Sequence, residues 1–79
     1  MLILKNIEKN NDIIRAEYDP EKSGCIGSIA IDINSRNVIE SKITSYDENI
    51  PIYLNHAIAA LEKMISLDVV PEEKVVMWY

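Results

Sequence analysis

The chain is poor in the residues that build disulfides and metal sites. It has one cysteine and one histidine, Cys25 and His56, among 79 residues. A lone cysteine cannot form an internal disulfide, which fits a reducing compartment. One Cys and one His far apart in the chain do not make a zinc site, because structural zinc takes four such ligands. We therefore expect neither a metal nor another cofactor.

Basic residues are also scarce. Eight Lys and Arg stand against thirteen Asp and Glu, which gives a formal net charge of -5. Affinity for nucleic acids depends on contacts between cationic side chains and phosphates, so this balance disfavours direct binding to DNA or RNA. No apolar run approaches the ~18 residues of a membrane span, and the apolar start of the chain is too short for a secretory signal. We expect a cytoplasmic protein that binds neither nucleic acid nor membrane.

The length and composition predict one folded domain over residues 1–79. Hydrophobic residues make up 48% of the chain and charged residues 27%, which are ordinary values for a globular protein. At this size a single hydrophobic core is only marginally sufficient, and a second domain has no room.

The stretch from Ile52 to Leu67 is the one run whose apolar residues recur at helical spacing. Four of them lie at i, i+4, i+7 and i+11 and are predicted to face the core: Leu54, Ile58, Leu61 and Ile65. Tyr53 and Met64 extend this face to one side, where they need cover from a loop, the last strand or a partner. Pro71 forces the residue before it out of helical geometry, so the helix is predicted to end near Leu67 or Asp68.

Five other segments have the apolar and β-branched composition of strands. Their bounds are Met1–Ile7, Ile13–Tyr18, Ile26–Ile33, Val38–Thr44 and Lys74–Tyr79. The first is apolar on both faces, which is typical of a strand in the middle of a sheet. In the fourth, Ile39 and Ile43 are predicted to face inward and Glu40 outward.

The resulting element order is ββββαβ, which predicts an α+β fold with one antiparallel sheet and one helix across a face. Short hairpins place the first four strands side by side, and the helix then returns the chain so that the fifth strand lies beside the first. The predicted strand order is 5-1-2-3-4. An alternative places the fifth strand parallel to the fourth. This leaves the first strand on an edge of the sheet, where its second apolar face would be exposed.

The segment from Asp19 to Ile26 resembles the first half of a calcium-binding loop, in which oxygen ligands alternate around a glycine. The twelfth position, where such loops have a bidentate Glu, is Ala30, and strands rather than helices flank the segment. We interpret it as a solvated hairpin turn.

The cysteine and the acidic residues are the remaining candidates for catalytic residues. Cys25 lies between the only two glycines, but no Cys-x-x-Cys partner is present and Lys22 is the only cation near it in sequence. Acidic residues cluster at the two ends of the helix: Asp47, Glu48, Asp68, Glu72 and Glu73. Helix-dipole and solvation effects explain these acids, so no catalytic residue is predicted.

The end of the chain carries more apolar surface than the fold needs. Alternation in the last strand projects apolar side chains to both faces, although only one face meets the helix. Aromatic residues and Met are enriched at protein interfaces. The last strand and the side of the helix that the sheet does not cover therefore contribute the candidate interface residues, which are Tyr53, Met64, Val75, Met77, Trp78 and Tyr79.

Three functional hypotheses follow. The first is a small interaction or regulatory module that self-associates or binds another protein through the last strand and the second face of the sheet. The second is a small thiol- or carboxylate-dependent enzyme. The third is an acidic mimic of nucleic acid, although charges of both signs are interspersed along the chain. A specific partner or a dimer would favour the first hypothesis. A deep pocket that encloses Cys25 or a pair of carboxylates would favour the second.

Overall fold

The computed structural model describes residues 1–44 and 52–77. In chain order these residues form β1 (Leu2–Lys9), β2 (Ile13–Pro20), β3 (Gly27–Asp32), β4 (Val38–Lys42), α1 (Ile52–Met64) and β5 (Lys74–Val76). All strand pairs are antiparallel and form one sheet in the order β4-β3-β2-β1-β5. The helix packs against β1, β2, β3 and β5. The predicted α+β fold and strand order are confirmed, and the alternative with β5 parallel to β4 is wrong.

Polar side chains close two turns of the β1–β4 meander. The Asn10 side-chain oxygen accepts two backbone amides of its own turn, each at 2.8 Å. The Asp32 carboxylate accepts hydrogen bonds from the amides of Asn34 and Ser35 at 2.8 and 2.9 Å. The Ser35 amide is the main cause of a lowered pKa of the Asp32 carboxyl, against a smaller opposing effect of desolvation. Asn and Asp favour such turns because their side chains bond to nearby backbone.

A bulge in β1 collects apolar residues on one face. The pairing of β1 with β2 shifts register between Lys5 and Glu8, and Asn6 in that gap has a positive φ of 51°. Because successive strand residues alternate faces, one extra residue puts Ile7 on the same face as the two buried leucines at the start of the strand. β1 lies inside the sheet, as predicted. Its sequence reads as apolar on both faces largely because the bulge shifts Ile7 relative to strict alternation.

β4 is an exposed edge strand, and the prediction that Ile39 faces inward is wrong. Ile39 is 53% exposed and is the extra residue where the register between β3 and β4 shifts. As a consequence Val38, opposite Ile31, takes the helix side of the sheet, whereas Glu40 lies on the other side as predicted. Ile43, which was also predicted to face inward, follows β4 and is exposed.

α1 is rotated relative to the predicted orientation, although Leu61 and Ile65 of the predicted line are buried. Its buried residues are Ala57, Leu61 and Met64, whereas Leu54 and Ile58 are only partly buried against the core. The small Ala57 allows the helix to approach the sheet more closely than a row of isoleucines would. The predicted face is therefore correct, but the helix is rotated about its axis.

The helix ends at Met64, before the predicted end at Leu67 or Asp68. Beyond Met64 the chain makes a tighter turn, in which the amides of Ile65 and Leu67 bond to carbonyls three residues back. Such 3₁₀-type bonds are common in the last turn of a helix. The shorter helix leaves Leu67 beside the helix end rather than within it.

Tyr18 fills the centre of the core and depends on a glycine beside it. Tyr18 is fully buried and lies opposite Gly27 in the pairing of β2 with β3. A Cβ atom on Gly27 would lie 2.3 Å from the Tyr18 ring and 2.7 Å from the Lys42 carbonyl oxygen. Gly27 therefore leaves the space that the aromatic ring occupies.

Lys9, the last residue of β1, caps the C-terminal end of the helix. Its Nζ donates hydrogen bonds to the carbonyls of Ile65 and Leu67, both at 2.6 Å. A cation at this position pairs with the negative end of the helix dipole. Replacing Lys9 by Met should lower the free energy of unfolding by about 1 kcal/mol, measured by urea denaturation. Lys9→Arg is the control because it keeps a cationic donor, and equal stability of Lys9→Met and wild type would contradict the capping role.

Candidate functional site

A groove of about 610 Å³ lies between α1 and β5. It is lined by His56, Ala59, Ala60, Lys63, Met64, Leu67, Pro71, Lys74, Val75, Val76 and Met77. Small-molecule and peptide sites are commonly concave and mostly apolar, with a few polar groups. This groove is therefore the candidate functional site.

The helical side of the groove is one row of residues beside the buried row. His56, Ala60, Lys63 and Leu67 follow one another at spacings of three or four residues, so they share one face of the helix and of the turn after it. This row is rotated away from the sheet and towards β5. The alanine on this row is too small to fill the gap between helix and strand, which leaves it open.

The groove has a buried floor and an exposed apolar rim. Met64 is buried in its floor, and Val76 is packed against the core from β5. Leu67 and Met77 are exposed at the rim, Met77 to 62%. Val75 also lines the groove, but it lies opposite Ile3, so its side chain projects to the other face of the sheet. Apolar side chains that are held at a surface around a concave floor are typical of protein contact sites.

The charge of the groove is opposite to that of the protein. Lys63 and Lys74 line it together with His56, and the lining contains no carboxylate among the described residues. The chain as a whole carries a formal charge of -5. Neither lysine side chain forms an ion pair within residues 1–44 and 52–77, where the salt bridges join other residues. The groove is a local basic region on an acidic protein.

Both walls of the groove are anchored to β1. The helical wall is fixed at its end by Lys9, which bonds to the Leu67 carbonyl. The β5 wall is fixed by ladder pairing with β1 and, just before the strand, by a hydrogen bond from the Ile7 amide to the Glu72 carbonyl at 3.1 Å. Ile7 directly follows Asn6 at the bulge. One strand thus holds both sides of the groove in place.

The candidate interface residues divide into three groups. Met64, Val75 and Met77 come together in the groove. Tyr53 lies elsewhere: it is partly buried, and its hydroxyl donates to Glu21 Oε2 at 3.1 Å. The remaining two, Trp78 and Tyr79, lie outside the described residues.

The predicted second face of the sheet is charged rather than apolar. Lys5 lies opposite Glu17 in the pairing of β1 with β2, and Glu8 lies opposite Arg15. A shallower depression of about 310 Å³ on this face is lined mainly by polar and charged side chains, including Glu40. The face therefore lacks the continuous apolar surface that the sequence pattern led us to expect.

The calcium-like segment is organised as a turn. The Asp19 carboxylate is buried and accepts hydrogen bonds from the Gly24 amide at 3.0 Å and from Lys5 Nζ at 3.4 Å. Glu21 forms an ion pair with the amino group of Met1. Within residues 1–44 and 52–77, no group of three His, Cys, Asp or Glu side chains could hold a metal ion.

The residues considered for catalysis do not converge on the groove. Cys25 is partly buried in the loop between β2 and β3, where its amide donates to the Ser23 hydroxyl at 3.2 Å, and it does not line the groove. Asp47 and Glu48 lie outside the described residues, and the acids after the helix, Asp68, Glu72 and Glu73, are exposed. No helix in the described part of the chain is long and apolar enough to cross a membrane.

Sequence reasoning missed the basic residues of the groove. Lys63 and Lys74 each fit the pattern of an ordinary solvent-exposed charge, and only the packing of β5 beside α1 brings them to one site. The available signal was the row of His56, Ala60 and Lys63, which borders the apolar face of the helix and contains no acid.

Searches against protein-family models, curated proteins and solved structures gave no match to this chain.

Proposed function

We propose that this chain is a small cytoplasmic protein-interaction module that binds a protein segment in the groove between α1 and β5. The observation that carries the proposal is the groove itself, with a floor of buried Met64 and partly buried Val76 and an exposed rim of Leu67 and Met77. The single cysteine, which cannot form an internal disulfide, is what favours the cytoplasm.

The composition of the surface favours the groove over the second face of the sheet. Charged pairs such as Lys5 with Glu17 and Glu8 with Arg15 cover that face, and the core of an interface is typically depleted in charge. The groove combines apolar side chains with a few cations. It therefore replaces the sheet face as the proposed contact surface, and β5 remains part of it.

Variants that remove apolar side chains from the rim test this proposal. Leu67→Ser and Met77→Ser should each weaken partner capture about fivefold or more, because loss of an apolar anchor residue of an interface costs over about 1 kcal/mol. The matched control is Val69→Ser, since Val69 is 84% exposed and does not line the groove. All three variants should keep the thermal midpoint of the wild type within a few degrees.

The measurement is capture from native lysate on each immobilised variant, with mass-spectrometric identification of bound proteins. Sedimentation of the free variants over a range of concentrations reports self-association in parallel. A specific partner, or a dimer, that is lost with both groove variants and kept with Val69→Ser is the expected result. If Leu67→Ser and Met77→Ser capture the partner as well as the wild type does, the groove is not the contact site.

A further inference from the structure

Among the described residues, β5 presents an open strand edge beside the groove. One side of β5 pairs with β1 from Leu2 to Leu4, and β5 is the last strand in the sheet order formed by the described residues. The backbone N–H and C=O groups on the other side of Lys74–Val76 therefore have no strand partner in this part of the chain. Such an edge can accept an extended peptide as an additional strand.

A strand added at this edge would place every second side chain over the groove. Lys74 and Val76 lie opposite the buried Leu4 and Leu2, so they project to the helix side of the sheet. Residues of an added strand that lie opposite them would project to the same side, between β5 and the helical wall that carries Lys63. Apolar residues there would meet the floor, and acidic residues would meet the two lysines.

The charge of the groove selects among possible occupants. Within residues 1–44 and 52–77, Lys63 and Lys74 have no carboxylate beside them in the groove lining, so an incoming carboxylate would gain two cationic partners. A second copy of this chain is disfavoured as the occupant. A two-fold axis through paired β5 strands would bring Lys63 and Lys74 of both copies to one interface, and like charges there are repulsive.

We infer that the groove binds an acidic extended segment of a different protein, which pairs with the free edge of β5 and directs carboxylates to Lys63 and Lys74. The inference rests on the proposed function and names the partner class for the same groove. Backbone pairing with β5 supplies the geometry, the apolar floor supplies contact area, and the lysines supply selectivity for acidic sequences. The protein itself remains a monomer in this arrangement.

Three synthetic heptapeptides test the inference. The acidic probe is acetyl-Thr-Glu-Thr-Val-Thr-Glu-Thr-amide, in which Glu, Val and Glu alternate and share one face of a strand. The other two replace both Glu by Gln or by Lys. Each is titrated into the nitrogen-15-labelled full chain at low salt, with amide chemical shifts as the readout. The acidic probe should bind about tenfold more tightly than the Gln probe, as expected for two exposed ion pairs, and the Lys probe more weakly still.

The amide shifts should map to Lys74–Met77 and to the groove face of α1. The double variant Lys63→Gln/Lys74→Gln should abolish the preference for the acidic probe, so that the acidic and Gln probes bind it with equal affinity. Lys42→Gln on β4 is the matched control, because Lys42 is exposed but does not line the groove. High salt should reduce the preference in the same way as the double variant.

Three outcomes would overturn the inference. They are equal binding of all three probes, shifts that map to β4 instead of β5, and no binding of any probe. Equal binding in the groove would still support the proposed function and reject only the acidic partner class. If no probe binds, the capture experiment with Leu67→Ser and Met77→Ser decides separately whether the groove binds a partner of another chemistry.

Discussion

Removal of Val75 to Tyr79 is expected to leave the protein unfolded or aggregated at room temperature. The deletion removes Val76, which is partly buried against the core, and uncovers the edge of β1 at Leu2 and Ile3. Loss of the Val76 side chain costs about 1 to 2 kcal/mol, loss of the backbone pairing with β1 adds to this, and a small domain has only about 5 kcal/mol in total. An uncovered apolar edge also templates pairing between chains. Thermal melting and sedimentation on the same sample measure both effects.

Two point variants in β5 serve as controls for this deletion. Val76→Ala should lower the free energy of unfolding by about 1.5 kcal/mol because Val76 packs against the core. Val75→Ala should change it by less than about 0.5 kcal/mol, since Val75 lies largely in solvent. A truncated protein that melts and sediments like the full chain would show that β5 contributes nothing to the fold.

Gly27→Ala is expected to destabilise the protein by about 1 to 3 kcal/mol, with a larger effect for Gly27→Val. The added Cβ would lie 2.3 Å from the Tyr18 ring and 2.7 Å from the Lys42 carbonyl oxygen, so either the ring or the β4 backbone must move. Because Tyr18 is fully buried, the ring has no free space to enter. Urea denaturation gives the change in the free energy of unfolding.

The Gly27 prediction depends on space rather than on backbone conformation, and two comparisons separate these causes. Gly24 has a positive φ of 80° and nothing within 4 Å of its added Cβ, so Gly24→Ala reports backbone strain alone, about 1 kcal/mol. In a Tyr18→Leu background, the cost of Gly27→Ala should become smaller, because the nearest clash is gone. Additive effects of Tyr18→Leu and Gly27→Ala would contradict the proposed clash.

The strand order could be predicted from the sequence because short turns and alternation leave few arrangements of a meander followed by a helix. The side chains of Asn10 and Asp32 stabilise the turns that join these strands. The returning β5 was placed correctly because a strand with two apolar faces needs neighbours on both sides. The strand β1 has fewer apolar residues on its second face than strict alternation predicts, because the bulge at Asn6 puts Ile7 on the same face as Leu2 and Leu4.

The rest of the fold and the site could not be predicted for related reasons. Alternation assumes one step of the ladder for each residue, so an extra residue such as Ile39 misplaces the side chains around it. The rotation of α1 depends on how its small residues fit the twisted sheet, which the helical pattern alone does not fix. Lys63 lies in α1 and Lys74 in β5, and only the packing of these two elements brings both lysines to the lining of one groove.

The register shift between β3 and β4 also bears on whether copies of this chain can form filaments. A sheet with two open edges can grow indefinitely if the edge of one copy pairs with the opposite edge of the next, because such head-to-tail contacts do not close. In this fold the edge opposite β5 is broken by the unpaired Ile39, with Glu40 and Lys42 close by. A bulged and charged edge is a poor template for a regular ladder. The irregular β4 therefore disfavours head-to-tail polymerisation, in which the β5 edge of one copy would pair with the β4 edge of the next.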